Sequence, residues 1–260
     1  MFFTTSNLVH YLLSRGFLLN SDVVNSRLVI CDVSRRNRNF KVMINENRGL
    51  FVKQIQATNE LSMKTMQREI DCYQLTREFP KWSALMPALI DHDAVRRSLV
   101  VELFPRAENL REYHARVSAL PIDVARLLGT VIGQFHRSMP LTDLTRSQLD
   151  FFRRKPCWIL SFKEAPESAS GGVKQLLRFL HQSPALLERM DRLFAKWRFD
   201  HVIHGDLKWD NCLVFPDAMG NAQAKLIDWE LVDVGDAAWD VGGILQSYFV
   251  YWIGFQRSKQ

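Results

Sequence analysis

Strand-like patterns of apolar residues occupy much of the first part of the chain. RLVICDV and NFKVMI alternate or run apolar in the manner of strands. The turn-forming NENRG separates Ile44 from Leu50, so NFKVMINENRGLFVKQI predicts a hairpin whose second strand ends near Lys53. A further apolar run, SLVVELF at residues 98–104, predicts a buried strand.

Helical spacing dominates the later part of the chain and marks two earlier segments. Residues 7–19 predict a short helix, and residues 62–78 predict a longer one. The apolar stripe of the longer helix consists of Met63, Met66, Ile70 and Tyr73. DVARLLGTVIGQFHRS, which starts at Asp123, predicts a strongly amphipathic helix. Residues 140–200 predict helices interrupted by the loop-like SFKEAPESASGG.

The chain therefore changes from strand-rich to helix-rich near residues 105–110. This order predicts an α+β fold with two lobes. Residues 1–104 are expected to form a small antiparallel sheet with a helix, and residues 105–260 a larger, mainly helical lobe. A short hinge is expected between them.

The composition is that of a globular protein with a substantial core. Of the 260 residues, 47% are hydrophobic and 24% are charged, which excludes fibrous and disordered classes. The net charge of +6 favours anionic partners such as nucleotides. The charge is diffuse and no aromatic–basic motif accompanies it, which argues against a nucleic-acid partner.

The cysteines and the longest apolar run indicate in which cellular compartment the protein is expected. No CxxC pair occurs among the four cysteines, Cys31, Cys72, Cys157 and Cys212. Free thiols in a reducing compartment are therefore expected. The N-terminus lacks the basic start and cleavage site of a signal peptide. VGGILQSYFVYWIGF, residues 241–255, is short for a membrane span and contains two polar residues. We expect a soluble, cytoplasmic protein without a membrane partner.

Residues suited to catalysis are concentrated in HVIHGDLKWDNCLVF, residues 201–215. Asp206 follows a strand-like run, and Asn211 lies five residues later. A second carboxylate, Asp228, ends the apolar run of AKLIDWE. The two segments predict a strand–turn–strand pair that places Asn211 beside Asp228, and their oxygen atoms suit Mg²⁺. Asp206 stays free to accept a proton, which completes the parts needed for phosphoryl transfer.

Most isolated His-x-Asp pairs are ordinary surface turns. Here, the spacing of the motif and a matching set of residues earlier in the chain favour the catalytic interpretation. The H-x-D-x-x-x-x-N spacing matches a kinase catalytic loop, with Gly205 where protein kinases usually carry arginine. Upstream, Lys53 lies on a strand in LFVKQI. Glu69 borders the apolar stripe of the next helix, where a carboxylate needs a cationic partner. The basic SRRNRNF, residues 34–40, fits either a phosphate-covering loop or a solvated turn.

These residues resemble the aminoglycoside phosphotransferase and choline kinase-like family, which has the bilobal protein kinase-like fold. HGDLKWDN is similar to the family's H-G-D-x-x-x-x-N loop, and LIDWE to its I-D-W-E segment. GDAAWDVG and LGTVIGQFHRS resemble its G-D-P-x-x-D-L-A and L-x-x-L-H helices. The resemblance covers about residues 28–250. The first two motifs are specific when paired, and the last two are supporting.

The resemblance implies a role for each matching residue. Asp206 would be the catalytic base, with His204 bracing its loop. Asn211 and Asp228 would bind Mg²⁺, and Lys53, held by Glu69, would contact the phosphates of ATP. The family's structural aspartates correspond to Asp236 and Asp240.

The nucleotide side of the site is implied less directly. The segment Glu102, Leu103 and Phe104 would be the hinge that offers backbone hydrogen bonds to adenine. Because SRRNRNF contains no glycine, its phosphate contacts would come from Ser34, asparagine side chains and basic groups.

The acceptor is expected between Asp206 and the helical insert at residues 140–200. In that insert, FFRRKPCW offers three basic residues that would attract an acidic acceptor or form a solvated face: Arg153, Arg154 and Lys155. A mildly basic insert argues against polycationic aminoglycosides. A hydroxyl of a small molecule is therefore the expected acceptor.

Three alternatives stay open from the sequence. The first is a Ser/Thr kinase that acts on a precursor peptide in lanthipeptide-type biosynthesis with a lyase partner, as some members of the family do. The second is a non-catalytic nucleotide-binding module, which the presence of the base, both metal ligands and the strand lysine disfavours. Thirdly, the apolar ILQSYFVYWIGF is expected to be an ordinary buried helix, with contact to a protein partner, a dimer or a downstream domain as the alternative.

Overall fold

A computed structural model describes residues 2–24, 28–56, 60–157 and 170–257. The predicted loop SFKEAPESASGG falls largely at residues 158–169, outside the described residues. The described chain has an antiparallel sheet in its first part and mainly helices afterwards, which confirms the predicted α+β fold.

A five-stranded antiparallel sheet forms the first part, in the order β1-β2-β3-β5-β4. Its strands are β1 (Val29–Asp32), β2 (Arg38–Met43), β3 (Gly49–Gln54), β4 (Leu89–Asp93) and β5 (Ser98–Leu103). The predicted hairpin is β2–β3, in which Asn39 lies opposite Lys53. The sequence did not predict β4, because this edge strand is irregular and only partly buried.

Helices cover both faces of this sheet. On one face lies α1 (Thr5–Ser14), which the short α2 (Asn20–Val24) follows along the chain. The apolar side of α1 packs on alternate strand residues, including Val42, Leu50 and Val52. The other face is covered by α3 (Glu60–Thr76), whose stripe packs on Leu99 and Val101. The alternation along each strand thus places Lys53 on the α3 face and its neighbour Val52 on the α1 face.

The first helix is shorter than the predicted residues 7–19 because local signals set both ends. Thr4 and Asn7 form a reciprocal capping box, which starts the helix at Thr5. Gly16 has a φ of +73°, a conformation that ends helices.

Seven further helices occur in the described residues. They are α4 (Pro80–Ser83), α5 (Leu110–Val117), α6 (Ile122–Arg137), α7 (Arg146–Asp150), α8 (Gly171–His181), α9 (Pro184–Ala195) and α10 (Ala238–Arg257). The amphipathic α6 matches its prediction and buries Val124, Leu128, Val131, Ile132 and Phe135. The predicted boundary between residues 104 and 105 falls between β5 and the next strand, and the division into two lobes stays a prediction.

Two small sheets carry the loops of interest. β6 (Glu108–Asn109), β8 (Cys212–Pro216) and β9 (Ala222–Leu226) form one, and β7 (His201–Ile203) pairs with β10 (Asp233–Gly235) in the other. In the β8–β9 hairpin Cys212 lies opposite Leu226, and Ile227 N donates to Asn211 O over 3.0 Å. This register brings residues 211 and 228 to the same end of the hairpin, as predicted.

The C-terminal α10 is only partly buried. Ile244 is 6% exposed and packs in the core, whereas an exposed stripe follows the helix through Val241, Leu245, Phe249 and Trp252. The expectation of an ordinary buried helix is therefore wrong for this face, and the prediction of a partner there stays untested. Among the described residues, no helix is long and apolar enough to span a membrane. The four cysteines are free thiols, as predicted.

Candidate active site

The turn after β7 is fixed by one buried carboxylate. Asp240, in the first turn of α10, has no exposed surface. It accepts hydrogen bonds from His204 N at 2.8 Å and Gly205 N at 3.0 Å. His136 Nε2 of α6 lies 3.0 Å from the same carboxylate. The start of α10 thereby sets the position of the backbone just before Asp206.

The His204 ring ties this turn to the end of β9. Nε2 lies 2.9 Å from Ile227 O, a carbonyl that can only accept, so Nε2 carries the proton. Nδ1 is left to accept from Asp206 N at 3.4 Å. Because His204 is fully buried, it positions the loop rather than contacting a substrate.

Gly205 is required by its backbone. Its φ is +82°, and a Cβ at this position would lie 2.4 Å from Leu231 O. Any L-residue would be strained and would collide with a backbone carbonyl. The arginine that protein kinases usually carry here is therefore incompatible with this turn.

Asp206 emerges from the loop partly exposed, with 32% of its side-chain surface accessible. Asn211 Nδ2 donates to Asp206 O at 2.8 Å and to Asp206 Oδ2 at 3.2 Å. With Nδ2 engaged, Oδ1 of Asn211 is the atom left to face a cation. The ammonium of Lys208 also contacts the Asp206 carboxylate. The sequence did not single out Lys208, although it lies only two positions after Asp206.

Lys53 on β3 is the centre of a second cluster. Its Nζ donates to Glu69 at 2.7 Å and Asp228 at 2.8 Å, and lies 3.4 Å from Glu230. Burial lowers the pKa of Lys53, but the three carboxylates more than offset this and hold the pKa above its ordinary value. Lys53 is therefore charged over the whole physiological range.

The pKa values of two carboxylates in this cluster are shifted in opposite directions. Burial raises the pKa of Glu69 on α3, against the opposing effect of Lys53. Burial also acts to raise the pKa of Asp228, but there Lys53 prevails and the pKa is lowered. Oxygen atoms of Glu69, Asp228 and Glu230 lie within 4.8 Å of one another. A set of oxygen donors around Asp228, with Asn211 beside it, fits a hard cation such as Mg²⁺.

In the β1–β2 loop, Ser34 makes hydrogen bonds within the loop itself. The Ser34 hydroxyl accepts from Asn39 N at 3.1 Å, and Ser34 N donates to Asp32 at 2.9 Å, so Ser34 holds the loop together. The neighbouring Arg36 reaches across to Glu230, with Nη2 at 2.8 and 3.0 Å from its two oxygens. Arg36 and Glu230 were missed because they lie 194 residues apart, and only the basic character of the loop pointed to them.

Residues of the predicted hinge already make hydrogen bonds and ring contacts within the protein. Glu102 lies opposite Leu50 and so shares the α1 face, where its side chain lines an open cavity of about 360 Å³. Its N–H donates to Ala88 O at 2.9 Å. Phe104 stacks on Phe215 with ring centroids 4.5 Å apart, and its carbonyl accepts from Ala107 N. The Glu102 side chain therefore faces away from the cleft, and adenine recognition at this segment stays a prediction.

The segment FFRRKPC runs beside the catalytic turn. Arg153 Nε and Arg154 N both donate to Asp233 of β10 at 3.0 Å. Burial raises the pKa of the Cys157 thiol to about 12, with nearby carboxylates including Asp240 and Asp206 adding to the effect. Arg153 is thus already paired with a carboxylate rather than left free for an acidic acceptor.

Comparisons with known proteins identify the family and the fold. The model of the phosphotransferase enzyme family matches residues 31–257, and a search of curated proteins finds no match. An ethanolamine kinase of Plasmodium vivax superposes with a TM-score of 0.59 at 15% identity, covering 95% of this chain and 69% of its own. The choline kinase LicA of Streptococcus pneumoniae gives 0.56 at 14%, covering 92% and 75%. The GDP and kanamycin complex of APH(2")-IIia gives 0.59 at 14%, covering 92% and 78%. At these identities the likeness shows the fold, which is the expected protein kinase-like one.

Proposed function

Because the chain belongs to the phosphotransferase enzyme family, we propose that it transfers the γ-phosphoryl group of ATP, held with Mg²⁺, to a hydroxyl group of a small molecule. One observation carries the proposal. Lys53 Nζ lies 2.8 Å from Asp228, which stands at the same end of the β8–β9 hairpin as Asn211, and Asn211 in turn holds Asp206. The Lys53–Asp228 and Asn211–Asp206 contacts meet at the end of the hairpin, where Ile227 N donates to Asn211 O, so the residues assigned to nucleotide, metal and base lie together.

In the proposed reaction Asp206 orients the acceptor hydroxyl and takes its proton. The acceptor oxygen forms a bond to the γ-phosphorus as the bond from that phosphorus to the bridging β–γ oxygen breaks, which releases ADP. Such transfers depend mostly on positioning and charge stabilisation. Asn211 supplies the positioning, because its hydrogen bonds fix both the backbone and the carboxylate of Asp206.

Asn211 and Asp228 would hold Mg²⁺, with Glu230 as a nearby third oxygen donor. When bound, the ion neutralises charge on the nucleotide phosphates. Lys53 is assigned to the same phosphates, and Glu69 keeps its ammonium in place through the 2.7 Å contact. Nucleotide use is supported by solved structures of the same fold that contain AMP or GDP.

A small-molecule alcohol is proposed as the acceptor. The support is the fold shared with an ethanolamine kinase, a choline kinase and a kanamycin complex.

The test is a screen of the purified protein with ATP and Mg²⁺ against separate pools of amino alcohols, sugars, aminoglycosides and Ser/Thr peptides, read by mass spectrometry. We expect a gain of one phosphoryl group in a small-molecule pool, lost with EDTA and in Asp228→Asn. Asp123→Asn is the matched control, since Asp123 is 86% exposed on α6. Nucleotide binding without transfer to any pool would contradict the proposal and favour a binding module. A gain confined to the peptide pool would contradict the acceptor class.

A further inference from the structure

The β1–β2 loop, residues 33–37, reaches the opposite wall of the cleft. Kinase-like folds usually cover nucleotide phosphates with a glycine-rich loop. This loop contains no glycine and presents two consecutive arginines, Arg35 and Arg36. Arg36 spans the cleft to Glu230, and the charge of Arg35 acts on Asp210 of the catalytic loop. Guanidinium groups therefore stand where glycine N–H groups would be expected.

A single carboxylate stands between two cations at this point. Glu230 Oε2 lies 3.0 Å from Arg36 Nη2 and 3.4 Å from Lys53 Nζ. An oxyanion that bridges an arginine and a lysine is also the arrangement that a nucleotide phosphate adopts with such residues. The Glu230 carboxylate thus occupies the geometry that a phosphate would take.

Two carboxamides with buried oxygen atoms lie in this loop and at the start of β2. Asn39 lies opposite Lys53 in the β2–β3 pairing, so the two side chains share a face of the sheet. Asn37 is 8% exposed, and Oδ1 of both Asn37 and Asn39 is buried without a hydrogen-bond partner in the described part of the chain. A carboxamide can turn to offer either oxygen or NH₂. Asn39 therefore offers a polar atom without a partner on the same face as Lys53, and Asn37 offers another in the adjoining loop.

The charges near Lys53 make an exchange favourable. Arg36 is 61% exposed, so its contact with Glu230 is a weak, solvent-screened one. A nucleotide phosphate placed beside Lys53 would be repelled by Glu230 and attracted by Arg36. A phosphate accepts the same paired N–H donors of a guanidinium as a carboxylate does, and it carries more charge.

We propose that Arg36 is a phosphate-binding residue that exchanges the Glu230 carboxylate for a phosphate of the incoming nucleotide. Asn37 and Asn39 complete this side of the phosphate site. The proposal rests on the proposed function, because it assigns a binding partner to the nucleotide of that reaction.

The test compares the binding of ATP, AMP and adenosine by calorimetry, for the wild type and for Arg36→Ala. We expect Arg36→Ala to weaken ATP binding roughly tenfold, the factor that one charge-assisted hydrogen bond supplies, and to leave adenosine binding unchanged. Arg36→Lys should recover part of the loss. Arg15→Ala is the matched control, since Arg15 is an exposed, carboxylate-paired arginine on the α1 side of the sheet.

A second variant tests the exchange itself. Without Mg²⁺, Glu230→Gln should bind ATP more tightly than the wild type, and this gain should be smaller in the Arg36→Ala background, where no arginine is freed to bind the phosphate. Unchanged ATP affinity in Arg36→Ala would overturn the proposal. Equal losses for ATP and adenosine would also overturn it, because they indicate a damaged loop. A wild type that binds adenosine but not ATP, or neither, would instead overturn the proposed function together with it.

Discussion

One wall of the cleft carries Asp206, and its turn at residues 204–205 is held by the Asp240 carboxylate of α10, which has no exposed surface, accepts two backbone N–H groups and faces His136. Across the cleft, the loop of residues 33–37 meets Glu230 through Arg36, whose side chain is 61% exposed. The first wall is held by a buried carboxylate. The second is held by a contact with which water, salt and anions compete.

The difference assigns the two walls different tasks. In the proposed reaction, the buried network would keep Asp206 in place before any substrate arrives, which is the preorganisation that phosphoryl transfer needs. An exposed ion pair contributes little to stability and can exchange partners as a nucleotide enters and leaves. Variants that break each wall should therefore differ both in size and in kind.

The largest effect is expected from Asp240→Ala. The change leaves His204 N, Gly205 N and His136 without their acceptor inside the protein. We expect a loss of about 3–5 kcal/mol in the free energy of unfolding, because each backbone N–H group left without its buried acceptor costs about 1–3 kcal/mol. Urea denaturation measures it.

The matched control is Asp236→Ala. Asp236 lies four residues earlier, where it pairs with the exposed Arg198 and accepts from Ala238 N at the start of α10. Losing such a cap should cost about 1 kcal/mol. Equal losses in the free energy of unfolding for the two variants would show that the burial of Asp240 does not determine how strongly the turn before Asp206 is held.

Lys53→Met tests the cluster in which Lys53 contacts three carboxylates. Removing the cation leaves Glu69 buried and ionised, so we expect a loss of about 3 kcal/mol at pH 8. Because burial raises the pKa of Glu69, the folded variant binds a proton more readily than the unfolded chain, whose glutamate pKa is about 4.3. The loss should therefore shrink as the pH falls from 8 towards 5.5. Unfolding curves at both pH values measure it.

The double variant Lys53→Met/Glu69→Gln serves as the control, since it carries no buried charge at position 69. It should recover much of the stability at pH 8 and show a weaker pH dependence. A loss in Lys53→Met that is the same at both pH values would contradict the assigned cause.

A smaller effect is expected from Gly205→Ala. The left-handed φ of +82° and the collision with Leu231 O together should cost about 2–3 kcal/mol. Gly220→Ala is the matched control, because Gly220 has a φ of +85° but open space around it, and should cost about 1 kcal/mol. Thermal unfolding compares the two. If both variants lost the same stability, the close approach of the catalytic turn to Leu231 would carry no energetic weight.

Much of the wall that carries Asp206 could be predicted, because the residues that define it are close together in the sequence. The spacing from His204 to Asn211 falls in one loop, and the β8–β9 hairpin is short enough for its register to follow from alternation. The helical stripe next to Glu69 likewise showed that its carboxylate needed a cation.

The other wall could not be predicted in the same way. Arg36 and Glu230 are 194 residues apart, and no periodicity connects them. The direction of the Glu102 side chain depends on strand register with Leu50, and the exposed face of α10 depends on what packs beside it. Such features arise from tertiary contacts that a pattern along one chain does not encode.

The central claim, that Asp206 is the base of a phosphotransferase, is tested most directly by Asp206→Asn. Transfer of phosphate to the acceptor and the affinity for Mg²⁺–ATP are measured on the same preparation. We predict that transfer falls by roughly 10²–10⁴-fold, the usual contribution of a general base, with nucleotide affinity close to that of the wild type. Wild-type transfer by Asp206→Asn would contradict the account.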